Sequence, residues 1–83
     1  MSVDDTVVRV LDTHAKLKTP AGTLTRDADL YAAGMTSHAS VNVMLAVEDA
    51  FDVEFPDELL TKSTFCSIGA ISSAVEGLLE AAA

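Results

Sequence analysis

Apolar and polar positions alternate along this chain with a helical period in three places. Near the start, Val3, Val7, Val10, Leu11 and His14 recur at intervals of three and four, which predicts a helix over residues 3–17. Asp4 and Asp5 stand at its start and Lys16 and Lys18 near its end, the arrangement that a helix dipole favours. Thr19-Pro20-Ala21-Gly22 breaks the pattern. A second helix is predicted over 37–52, apolar around much of its circumference through Val41, Val43, Met44, Leu45, Val47 and Phe51. A last helix starts near Cys66 or Ser67 and runs to about residue 80, its stripe formed by Ile68, Ile71, Val75, Leu78 and Leu79. Thr64 and Ser67 are its candidate caps, and residues 81–83 are expected to fray.

Between the first two helices no period persists. The segment is long for a loop in a small domain, so it is expected to be functional or packed by its own side chains, with Leu24, Leu30 and Tyr31 as anchors and a single turn at 29–31. Phe55-Pro56 ends an extended link after the second helix, and 57–60 reads as a short third helix with Leu59 and Leu60 pointing inward. The expected fold is therefore all-α: a four-helix bundle in one domain, residues 1–83, with a short third helix and a long loop between helices one and two.

Composition narrows the function. Almost half of the residues are apolar, which argues against disorder. The formal charge of −8 disfavours nucleic acid and acidic membrane surfaces as partners and favours a basic protein. Apolar runs fall short of a membrane span, and the opening Met1-Ser2-Val3-Asp4-Asp5 is too acidic for a signal peptide, so a cytoplasmic location is expected. One cysteine, Cys66, makes neither an internal disulfide nor a zinc cluster and reads as a buried thiol. No metal site is expected, because Asp27 and Asp29 lack the glycine and glutamate spacing of a calcium loop. No catalytic constellation assembles either. His14 and His38 lie on different helices, and His38, although next to Ser37 in sequence, diverges from it by about 100° around the helix.

The segment with chemical promise runs from Ala33 through Gly34, Met35, Thr36, Ser37 and His38. If Thr36 caps the second helix, Ser37 falls on its first turn with a free hydroxyl, where unpaired N–H groups and the helix dipole favour an attached phosphate. The plain alternative makes Ser37 the cap itself.

From residue 27 to residue 79 the chain resembles the acyl carrier proteins. The likeness rests on Asp29-Leu30-Tyr31-Ala32-Ala33-Gly34-Met35-Thr36-Ser37, on Val41 and the stretch from Met44 to Phe51 with Glu48, and on Val53-Glu54-Phe55-Pro56-Asp57-Glu58. The resemblance implies a carrier that catalyses nothing itself. It would hold an acyl or aminoacyl group as a thioester on a 4′-phosphopantetheine arm, transferred from coenzyme A to Ser37 by a phosphopantetheinyl transferase. Phe55-Pro56-Asp57-Glu58 matches the family's turn before its short third helix. Two residues depart from the pattern: the family's aspartate before the serine is Thr36 here, and its leucine after the serine is His38. Tyr31 to Ser37 and the Phe51 to Pro56 turn also resemble the aminoacyl carrier proteins charged by shortened relatives of seryl-tRNA synthetases, which favours an amino acid as cargo.

At 100° per residue, Ser40, Met44, Val47 and Phe51 share one stripe of the second helix, and Val41 and Leu45 share another. The resemblance puts the first stripe in the core and gives the second to partners, with His38, Glu48, Asp49 and Asp52 beside it; spacing alone allows Val41 and Leu45 to be core as well. From Asp27 to Thr61 there are eight acids and no Lys or Arg, which is either a solvated face or a surface that steers a loading ligase with a basic docking surface. A cofactor-free helical interaction module is the alternative. It differs from the carrier in needing no modification at Ser37.

Overall fold

The computed structural model describes residues 3–82. Among these described residues four α-helices follow one another: α1, Val3–His14; α2, Ser37–Phe51; α3, Lys62–Phe65; and α4, Ile68–Ala82. Two single 3₁₀ turns, Ala21–Thr23 and Asp57–Leu59, interrupt the loops. The all-α expectation holds. α1 packs on both α2 and α4, and α3 packs on α4.

Each long helix contributes one narrow stripe to a shared core: Val7, Val10 and Leu11 from α1, Ala39, Val43 and Val47 from α2, and Ile68, Ile71 and Val75 from α4. α1 stops at His14, three residues earlier than its pattern suggests, because Lys16 takes a left-handed backbone with φ 55°. α4 begins where Ser67 Oγ accepts the N–H of Ala70, so Ser67 caps it, while Thr64 pairs its hydroxyl with that of Thr61. The described part of α4 extends past residue 80 to Ala82; residue 83 lies outside the described residues.

The long first loop is stitched down. Leu30 is fully buried, with Leu24 and Tyr31 packed against the core. The Asp29 carboxylate accepts the N–H groups of Tyr31 and Ala32, forming the turn expected there. Backbone bonds then tie the loop to distant elements: Leu30 N–H donates to Cys66 O at 2.7 Å, Gly69 N–H to Arg26 O at 2.9 Å, and Lys18 N–H to Ala33 O at 3.0 Å. Gly34 makes the last bend before α2 with φ 119°, and a Cβ there would stand 3.1 Å from Lys18 Cγ and 3.3 Å from Lys18 N.

Three expectations about packing need correction. The core stripe of α2 is Ala39, Val43 and Val47; Ser40, Met44 and Phe51 are only half-buried at its margin. The expected third helix at 57–60 is a 3₁₀ turn ending at Leu59, and Leu60 points outward at 45% exposure. The short α-helix lies further on, at Lys62–Phe65, and it forms because Phe65 is drawn into the core against Phe55, ring centroids 5.4 Å apart and edge to face. Cys66 is half-buried and donates from its thiol to Ser63 O.

Candidate functional site

The start of α2 divides two adjacent hydroxyls between two tasks. Thr36 has an extended backbone and its Oγ1 accepts the N–H of Ala39 at 3.0 Å, so Thr36 is the cap. Ser37 becomes the first helical residue. It is exposed, and its Oγ makes no hydrogen bond among the described residues. The Ser37 carbonyl accepts the Ser40 hydroxyl at 2.6 Å, and the Thr36 carbonyl accepts Ser40 N–H, which closes the first turn. A free primary hydroxyl thus stands at the positive end of a fifteen-residue helix. The hydroxyl, its exposure and the N–H groups around it suit a covalently attached phosphodiester.

Beside Ser37 lies a groove of about 330 Å³ between α2 and the 60–65 segment. Tyr31, Val41, Met44, Leu60 and Phe65 give it apolar walls, and Ser37, Ser40, Thr61 and Lys62 line it too. The Lys62 ammonium sits over the Tyr31 ring, 4.9 Å from its centroid.

On the outer face of α2, Val41 is 50% and Leu45 54% exposed, so neither belongs to the core. His38, Asp49 and Asp52 are exposed alongside. Asp52 ends the helix in a left-handed conformation, φ 54°, donating its N–H to Glu48 O. Glu48 differs from its neighbours: it is half-buried, and its Oε2 accepts the N–H of Phe55 at 2.8 Å. That bond brings the chain back after α2 and seats Phe55 in the core. A return over seven residues leaves no mark in sequence periodicity, so the reading of Glu48 as a surface acid overlooked this role. Lys62 and Tyr31 escaped notice as site residues as well; the isolation of Lys62 among acids was the available signal.

Electrostatic perturbation falls elsewhere. Arg26 donates from Nε and Nη2 to the Asp4 carboxylate and holds its pKa below the usual aspartate value. Ser72 adds to this effect: its fully buried hydroxyl lacks a partner at good hydrogen-bonding geometry among the described residues, yet lies near enough to favour the Asp4 anion. The pair fastens the long loop to α1, away from Ser37 in sequence. Among the described residues no cluster of His, Cys, Asp or Glu is arranged to hold a metal ion, and no helix is long and apolar enough to cross a membrane.

The chain is similar to known proteins in sequence and fold. Residues 9–75 match the family described as the phosphopantetheine attachment site. The aminoacyl carrier protein of Agrobacterium fabrum is 48% identical over 75 residues, which are 90% of each chain. Among solved structures, the chain superimposes with a TM-score of 0.86 and 47% identity on one from a crystal of an engineered Bradyrhizobium japonicum glycine:[carrier protein] ligase complexed with carrier protein from Agrobacterium tumefaciens and ATP, covering 89% of this chain and 96% of that one. It matches at TM-score 0.74 and 28% identity a chain from the Bradyrhizobium japonicum glycine:[carrier protein] ligase complexed with glycylated carrier protein, covering 87% and 96%. With a family match across most of its length and a close relative over nine-tenths of it, this chain belongs to the phosphopantetheine carrier proteins and is a carrier rather than a catalyst.

Proposed function

We propose that Ser37 bears the 4′-phosphopantetheine arm and that the whole chain serves as one carrier domain for an amino acid. The observation behind this reading is the division of hydroxyls at the start of α2: Thr36 Oγ1 is engaged in capping, while Ser37 Oγ is exposed and unpaired among the described residues. The arm supplies the thiol on which a cargo is held as a thioester; Cys66, half-buried and bonded to Ser63 O, is not needed for it. What Ser37 does is present that arm from a fixed point on a rigid helix end. Thr36 in place of the family's aspartate keeps the cap and withholds a charge.

A phosphopantetheinyl transferase would install the arm, and an ATP-dependent ligase would load it. Relatives crystallised with a glycine:[carrier protein] ligase support a small amino acid of the glycine class as cargo. For docking, Val41 and Leu45 offer two exposed apolar contacts, with His38, Asp49 and Asp52 around them, and the acid-rich 27–61 stretch suits a basic ligase surface. Glu48 adds charge to that region but spends one carboxylate oxygen on Phe55. A cytoplasmic location fits this reading, because the arm and its loading would draw on coenzyme A and ATP.

Incubation with coenzyme A and a phosphopantetheinyl transferase, followed by intact mass and peptide mapping, tests the assignment. The expected result is one added arm on the peptide containing Ser37 and none on Ser37→Ala. An unmodified chain, or an arm on another serine, would contradict it. Incubating the arm-bearing form with ATP, a glycine ligase and competing amino acids then reads the cargo.

A further inference from the structure

The charge around Ser37 is one-sided. From residue 27 onward the chain holds all of its thirteen acids except Asp4, Asp5 and Asp12, and its only Lys or Arg is Lys62. That lone cation lines the same groove as Ser37. Its present partner is the neutral ring of Tyr31.

Resting on the reading of Ser37 as the arm-bearing residue, we propose that Lys62 positions the arm by exchanging the Tyr31 ring for the phosphodiester once the arm is attached. The physical case is a comparison of partners. An aromatic face attracts an ammonium only through its quadrupole, and weakly where water has access. A phosphodiester carries a full negative charge and accepts charge-assisted hydrogen bonds. Attaching it to Ser37 adds an anion to a surface already rich in them, and among the described residues Lys62 is the one basic side chain lining the groove to offset it. Lysine suits the task because its ammonium is a point charge on a flexible stem and moves without a fixed bidentate geometry. Lys62 is the first residue of α3, the element that closes one side of the groove, so the contact would also draw the arm's origin toward the apolar walls at Val41 and Met44.

The test uses the isotope-labelled 83-residue chain, unmodified and arm-bearing. Mass mapping first establishes where the arm sits. In the unmodified chain the Lys62 ε-protons are expected upfield of ordinary lysine positions, displaced by the ring current of Tyr31. On attachment of the arm, that displacement is largely lost. The phosphorus resonance of the arm moves in Lys62→Gln, returns toward the parent position in Lys62→Arg, and stays put in Lys16→Gln, a charge control in another part of the chain. A structural role for Lys62 alone would leave the phosphorus resonance unchanged. An arm on Ser37 with an undiminished ring-current displacement, or with a phosphorus resonance indifferent to Lys62→Gln, overturns the role of Lys62 and leaves the carrier reading intact. An arm on a different residue overturns both.

Discussion

Replacing Thr36 or Ser37 by alanine removes one hydroxyl from adjacent positions, and the structure predicts opposite consequences. Thr36 Oγ1 accepts Ala39 N–H, so Thr36→Ala strips the cap of α2 and leaves that donor to water. Losses of this kind are about 1 kcal/mol, with a range of roughly 0.5–2. For a chain of 83 residues, an unfolding entropy of about 2.1 cal/mol/K per residue sums to about 0.17 kcal/mol/K, so the melting temperature should fall by about 6 °C. Ser37 is exposed, and its hydroxyl has no partner among the described residues to lose. Ala is the better helix former by a few tenths of a kcal/mol, so Ser37→Ala should stay within about 3 °C of the parent, on the stable side. Function divides the other way. Thr36→Ala should still accept an arm, whereas Ser37→Ala should accept none. Thermal unfolding by far-UV circular dichroism and intact mass after transferase treatment give both readouts on the same samples, and Thr36→Ser, which retains an acceptor, should restore most of the lost stability. A Ser37→Ala melting temperature as low as that of Thr36→Ala would refute the division of tasks, because the Ser37 hydroxyl would then be holding the helix.

Three further outcomes follow from the packing and the charges. Gly34→Ala should lose about 1–3 kcal/mol, since φ 119° is a glycine conformation and the new Cβ meets Lys18 at 3.1 Å; urea unfolding should show a lower midpoint, and an unchanged one would contradict the tight approach. Phe55→Ala should cost about 3–5 kcal/mol and half-buried Phe51→Ala roughly half as much, the larger value reflecting the seat of Phe55 against Phe65; equal losses in chemical denaturation would argue against that placement. The pKa of Asp4 is lowered by Arg26 first and Ser72 second, so its folded value lies below the ordinary 3.8. Its stabilising effect is therefore present above that value and disappears as pH falls through the folded pKa, and Asp4→Asn should approach the parent in stability as the solution is acidified; a gap independent of pH would exclude this linkage.

Much of the architecture was legible because α1 and α4 each bury one stripe at helical spacing, Val7, Val10 and Leu11 in one and Ile68, Ile71 and Val75 in the other. α2 was legible as a helix but not as an oriented one. Apolar residues ring it, so periodicity alone did not separate the buried Val43 and Val47 from the exposed Val41 and Leu45; only packing against α1 in the shared core decides which face is covered. Small Ala39 is buried with them and carries little hydropathic signal. α3 was illegible for a different reason. Four residues with a single apolar member have no period, and the helix exists because Phe65 reaches a partner ten residues back. At the site, Thr36 as cap with Ser37 as first-turn hydroxyl was readable, beside the alternative of Ser37 as the cap, since these are local properties of backbone and side chain. Glu48 and Lys62 were not, since what they do depends on Phe55 and Tyr31, which only the folded chain brings beside them.

A carrier must let one tethered group travel between enzymes, and motion at both ends of the tether would leave a partner nothing to aim at. With the arm on Ser37 as proposed, this chain leaves the motion to the arm and braces its point of attachment. The segment before Ser37 is fixed by backbone bonds reaching in both directions, from Lys18 to Ala33, from Met35 to Leu30 and from Leu30 to Cys66, and Leu30 and Met35 are buried within it. The far end of α2 is closed by Asp52 and by the bond from Phe55 to Glu48. A partner that grips the outer face of α2 at Val41 and Leu45 therefore meets the Ser37 hydroxyl at a set offset, one helical turn from Val41. The long loop, which has no regular period, is on this argument the brace that makes the offset reproducible.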